Sequence, residues 1–281
     1  MAKKIILKDK ENTQLLPYTR AELVNVSDSN VDDMLAWDDL DSKIPFYIDN
    51  TSDETLTITI TKTGTPNLDW YLSDNAKDWE ATPIQDSASF TINPYEKKYI
   101  KGTYGRKSTS NYVTITGDKK HSVGGHIASL INMDDLTNQV VGNYELINLF
   151  RDDAELRDAS NLILKKGCAN YCYNYMFRSC TSLVSAPELP ATTLANYCYN
   201  YMFCGCSSLV SAPVLPATTL ANYCYNYMFY GCSSLVSAPV LPATTLANYC
   251  YNYMFYGCSS LVNAPELPAT TLANYCYNYM F

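Results

Sequence analysis

Between residues 189 and 265 the chain has no Lys, Arg, Asp or Glu, although its 281 residues carry 20 basic and 28 acidic side chains. Neutralisation of phosphates by Lys and Arg dominates nucleic-acid binding, so this stretch is excluded as a nucleic-acid surface. Histidine is nearly missing too. His121 and His126 stand beside Gly124 and Gly125 and are read as satisfied loop histidines, not as a catalytic or metal site. No phosphate-binding glycine loop, nucleophile elbow or HExxH motif occurs. The carboxylate pairs Asp32 and Asp33, Asp38 and Asp39, Asp134 and Asp135, and Asp152 and Asp153 are sequence neighbours, read as solvated surface or cap residues. Nothing indicates the shared cleft that a catalytic dyad requires. The expectation is a non-enzyme with no catalytic residue, metal or cofactor.

Long apolar runs are absent as well. No stretch approaches the ~20 apolar residues of a spanning helix, and MAKKIILKDK has lysines but only three consecutive apolar residues after them, short of a signal-peptide core. There is no polybasic run for a membrane surface. Membrane insertion is therefore not expected, and assembly in the cytoplasm with later exposure is.

What is present is a repeat. LPATTLANYCYNYMF recurs at Leu189, Leu215, Leu241 and Leu267, a step of 26 residues. A unit that short cannot bury its own apolar residues, so it must stack on its neighbours as a solenoid. Three apolar columns mark the expected interior: Phe177, Phe203, Phe229, Phe255 and Phe281; Leu183, Leu209, Leu235 and Leu261; Leu189, Leu215, Leu241 and Leu267. Pro and Gly punctuate each unit into expected short strands and turns.

The order Leu-Pro, then Met-Phe-x-x-Cys-x-Ser-Leu, resembles the leucine-rich repeats of the Bacteroides surface protein type, here lengthened by APxLPATTLA. The resemblance covers roughly the last 115 residues. It implies a right-handed solenoid with one turn per repeat, and an adhesive or binding role in gut Bacteroidales or in the crAss-like phages that infect them.

The segment Leu149 to Leu164 can be laid on the repeat, with Phe150 in the Phe column and Leu156 in the Leu column. Arg151, Asp152, Asp153, Glu155, Arg157 and Asp158 then stand where the repeats are neutral, as expected of a polar N-terminal cap. At the other end Phe281 leaves an apolar edge bare, so that either the natural chain continues or a partner covers it.

Upstream, residues 1–45 resemble the start of phage fibre proteins: a strand at Ile5 to Leu7, a turn at Asp9 to Asn12 and a short helix capped by Ser29 or Asn30, with Val31, Met34 and Leu35 on one face. A helix this short is not stable alone, so it is expected to pack in a homo-oligomer; the resemblance implies a trimer anchored to other virion proteins. Residues 46–130 alternate in short runs, at Phe46 to Ile48, Thr55 to Thr61, Leu68 to Leu72, Ser89 to Ile92, Tyr99 to Lys101 and Tyr112 to Thr116. They predict a small antiparallel, immunoglobulin-like sandwich. Residues 131–167 form a linker and cap, and 168–281 the solenoid; the fold class is mainly β.

Nine of the eleven cysteines repeat with the unit and are read as small buried residues, thiols by default. Cys168 and Cys204 stand outside the columns. The sharpest functional signal is Tyr-Cys-Tyr-Asn-Tyr in each unit. A neutral Tyr and Asn face centred on Tyr223, Tyr225, Tyr227, Tyr249, Tyr251 and Tyr253 is the candidate ligand contact, by stacking on sugars or docking a protein; the plainer reading is self-stacking along the array. Three functions follow: a phage virion fibre or decoration protein contacting a host surface protein or glycan, a bacterial cell-surface adhesin, or a purely structural virion component.

Overall fold

A computed structural model describes residues 44–105, 107–132 and 142–281. The expected strand, turn and helix of the anchoring segment, and with them the trimer, lie outside the described residues.

Alternation builds the first part. In β2 (Leu56–Thr63), Leu56, Ile58 and Ile60 turn inward and are buried, while the threonines between them point outward, the period-2 signature of a half-buried strand. It pairs antiparallel with β4 (Ala88–Ile92) and β6 (Tyr112–Gly117) in a three-stranded sheet. The facing sheet runs β3 (Asn67–Ser73), β5 (Lys97–Gly105), β1 (Tyr47–Asn50), β7 (His121–His126) and β8 (Leu156–Ile163). Trp70 is fully buried between the sheets, and its indole N–H donates to the Leu130 carbonyl at 2.9 Å.

Two expectations are corrected here. The second sheet is mixed, because β8 pairs in parallel with β7. Its strand comes from the segment expected to be linker and cap. His121 and His126 begin and end β7 and are buried, so they are not loop histidines. Glycine makes β7 possible: a Cβ on Gly124 would fall 2.3 Å from the Tyr47 hydroxyl, and Gly125 (φ +76°) would meet the Pro45 carbonyl at 2.1 Å. The pair is thus a point of close packing inside a strand.

From residue 142 onward successive units lie on one another. Phe150, Phe177, Phe203, Phe229 and Phe255 are buried and their rings stack at 5.2–5.8 Å, so Phe150 does occupy the Phe column. Leu183, Leu209 and Leu235 are fully buried, as are the cysteines from Cys172 to Cys250 in one column and Cys180, Cys206 and Cys232 in the other. Phe281 and Leu267 face outward at the last unit. The expected strands within the units are replaced by turns and isolated bridges such as Ser211 with Ser237 and Thr219 with Thr245.

The first turn of the stack keeps Asp152 and Arg157 exposed to water, while its apolar side packs on the sandwich. Ile115 of β6 donates its N–H to the Leu149 carbonyl at 2.7 Å, and Phe46 packs on Phe150 with ring centroids 6.0 Å apart. The sandwich therefore covers the apolar end of the stack. Asp153, expected to be solvated, is fully buried; its Oδ2 lies 3.1 Å from Nε2 of the equally buried His121, and its Oδ1 accepts the N–H groups of Glu155 and Leu156. Burial opposes charge on His121, but hydrogen bonding to Asp153, the carboxylate's charge and the Lys119 carbonyl outweigh it and hold the imidazole above its ordinary range.

Candidate binding surface

Each Ala-Asn-Tyr-Cys-Tyr-Asn-Tyr-Met-Phe segment divides its backbone donors between two jobs. The N–H groups of Tyr223, Tyr225, Tyr227 and Phe229 reach carbonyls of the next unit, at Asn248, Cys250, Asn252 and Met254, over 2.9–3.1 Å. Those of Cys224, Asn226 and Met228 turn back three residues, to Ala221, Tyr223 and Tyr225. This double use places Tyr223, Tyr227, Tyr249 and Tyr253 at φ of 53–58°, a region costing roughly 1–2 kcal/mol for an L-residue with a bulky side chain. Inter-unit hydrogen bonds and ring stacking offset that cost.

The outcome is three tyrosine rows, of which two are open. Tyr223 lies 4.5–4.6 Å from Tyr197 and Tyr249, and Tyr227 lies 4.5–4.6 Å from Tyr201 and Tyr253, with planes within 5–11° of parallel. These rings are half-buried. Tyr225 and Tyr251, expected on the same exposed face, are instead 1% exposed and stack at 5.8 Å inside the array. Three tyrosines in five residues cannot share one face when the segment's central residues, Cys224 to Asn226, all turn inward. Burying the middle ring brings large apolar area into the core, and it leaves the Tyr225, Tyr251 and Tyr277 hydroxyls without hydrogen-bond partners among the described residues.

The asparagines are engaged in the array. Asn226 donates Nδ2–H to Asn200 Oδ1 at 2.9 Å and accepts from Asn252 at 2.8 Å, in a buried ladder. The outer row accepts backbone instead: Asn248 N–H donates to Asn222 Oδ1 at 3.0 Å. Because the open rows stack face to face, their ring faces are covered as well. What they present outward is ring edge and hydroxyl, so sugar stacking on these faces is closed along the rows. Burial, followed by neighbouring tyrosines, raises the phenol pKa of Tyr249 and Tyr253.

Tyr144 belongs to the surface and was not expected there. It stacks on Tyr171 at 4.8 Å with planes 10° apart, extending the first row into the cap turn. The only signal was Asn143-Tyr144, which matches Asn170-Tyr171 at the same 27-residue step as Phe150 and Phe177. A shorter row of Tyr230 and Tyr256 stacks at 5.4 Å beside the other open row.

Among the described residues no group of His, Cys, Asp and Glu side chains able to hold a metal ion occurs. Cys206, Cys232 and Cys258 donate their thiols to the carbonyls of Phe177, Phe203 and Phe229 at 3.1 Å. A small residue with a weak donor is what that column requires. No family model, curated protein or solved structure matches the chain.

Proposed function

We propose that the chain is an adhesive fibre or decoration protein of a phage virion, anchored by residues 1–45 and docking a host surface protein or glycan through its repeats. In this reading residues 168–281 are a leucine-rich-repeat solenoid, capped by the sandwich. The observation that carries it is the pair of open tyrosine rows on a stack with no formal charge from 189 to 265. A row of hydroxyl edges repeated at a constant step provides many weak, equivalent contacts, which suits a polymeric or densely displayed ligand.

Mutual stacking of the rows favours a second reading, a structural virion component whose repeats pack against other virion chains. Glycan-array and host-cell binding by the full chain separates the two: retention on either supports adhesion, and retention on neither supports the structural role. Immunogold labelling of phage particles and of host envelopes distinguishes both from a bacterial surface adhesin. Light scattering tests the anchor, since the chain lacking residues 1–45 should be a monomer where the full chain is a trimer.

A further inference from the structure

Where the sandwich meets the repeats, a groove of about 690 Å³ is lined by Asp53, Tyr95, Lys120, Ser122, Arg157 and Asp158, among others, a volume within the range of small-ligand pockets. Tyr95 is the third residue of a turn, Asn93-Pro94-Tyr95-Glu96, closed by the Glu96 N–H donating to the Asn93 carbonyl at 3.2 Å. Its φ is +60°. Proline second and a positive φ third is the pattern of a type II turn, whose third position favours glycine. A tyrosine there costs backbone strain, and at 70% exposure its ring recovers little of it by packing. No ring partner of Tyr95 occurs among the described residues, in contrast to the stacked rows, and the side chain stays largely open to solvent.

The charges around it are equally available. Two cations, Lys120 and Arg157, line the groove together with two carboxylates, Asp53 and Asp158, yet none of the four forms an ion pair among the described residues; Asp158 accepts the Ser160 N–H through Oδ1, at 2.8 Å. Balanced signs give no net field to draw an ion. Donors and acceptors lining one groove with an exposed aromatic ring instead match a neutral ligand that offers hydroxyls around its rim and C–H groups on its face.

We infer that this groove is a saccharide site, with Tyr95 as the platform and Arg157, Asp158, Lys120 and Asp53 as hydrogen-bonding partners. It takes one or two neutral sugar residues, and it is independent of the tyrosine rows.

Calorimetric titration of the full chain with maltose, lactose and N,N′-diacetylchitobiose tests it. At least one should bind saturably. Tyr95→Gly should weaken that binding by about tenfold or more while the melting temperature stays level or rises, because glycine relieves the turn. Asp158→Asn should weaken it too, and Tyr223→Ala should leave it unchanged. The inference is overturned if no disaccharide saturates the chain, or if Tyr95→Gly binds as tightly as the unsubstituted protein. Loss of host adsorption in variants of the rows, with disaccharide binding intact, would separate this site from the adhesive reading.

Discussion

Tyr225 and Tyr251 lie 5.8 Å apart with planes 8° from parallel, and both hydroxyls are buried without a hydrogen-bond partner among the described residues. An unpaired buried hydroxyl costs about 1–3 kcal/mol in desolvation, whereas removing it without changing the ring leaves the apolar gain intact. Tyr225→Phe should therefore raise the stability to urea denaturation by about 1 kcal/mol. A loss of that size would mean that the hydroxyl is bonded after all.

The Phe column offers a contrast between two chemically identical substitutions. Phe229 is fully buried between Phe203 and Phe255, whereas Phe281 is 54% exposed at the last unit. Phe229→Ala should cost about 3–5 kcal/mol, and Phe281→Ala well under half of that. Equal losses in denaturant titration would show that the stack is not what buries the column.

The columns were readable from the sequence because a constant 26-residue step puts like residues in register whatever the backbone does between them. The first six strands were readable from alternation, as in Leu56, Ile58 and Ile60. β7 escaped because two histidines beside Gly124 and Gly125 read as a loop, and only the approach of Tyr47 and Pro45 shows that its glycines are there for contact. β8 escaped because its Leu156 and Ala159 also fit the repeat. On the binding surface, which of three tyrosines turns inward depends on how each N–H is shared between units, and no side-chain pattern encodes that. Tyr225 and Tyr251 were misplaced for this reason, whereas the covered faces of Tyr223 and Tyr249 agree with the self-stacking that the repeat step suggests.

The buried pair of His121 and Asp153 makes stability depend on pH. With its folded pKa raised above the ordinary value of 6.5, His121 contributes stability that is fully present below about pH 6.5 and is lost as pH rises through the higher folded value. Melting temperature should fall across that interval. His121→Asn should flatten the fall, and an unaltered profile in that variant would assign the dependence elsewhere. Since the pair joins β7 to the turn leading into β8, exchange of amide protons at Leu156 should accelerate over the same range.

The open rows make the adhesive proposal testable through number rather than identity. Tyr223, Tyr227, Tyr249 and Tyr253 present equivalent edges at a 4.6 Å step, so no single ring is distinguished from its neighbours. One Tyr→Ala change should weaken host adsorption only slightly. Tyr197, Tyr223 and Tyr249 changed together to Phe, which keeps the stack and removes its hydroxyls, should reduce it sharply, because many weak contacts along one row are lost at once. Phe at buried Tyr199, Tyr225 and Tyr251 should leave adsorption unchanged. With no charged residue from 189 to 265, adsorption should also vary little between low and high salt, since screening acts on charges. Adsorption that survives the triple Phe change in both open rows, or collapses on adding salt, would move recognition from the repeats to the charged sandwich.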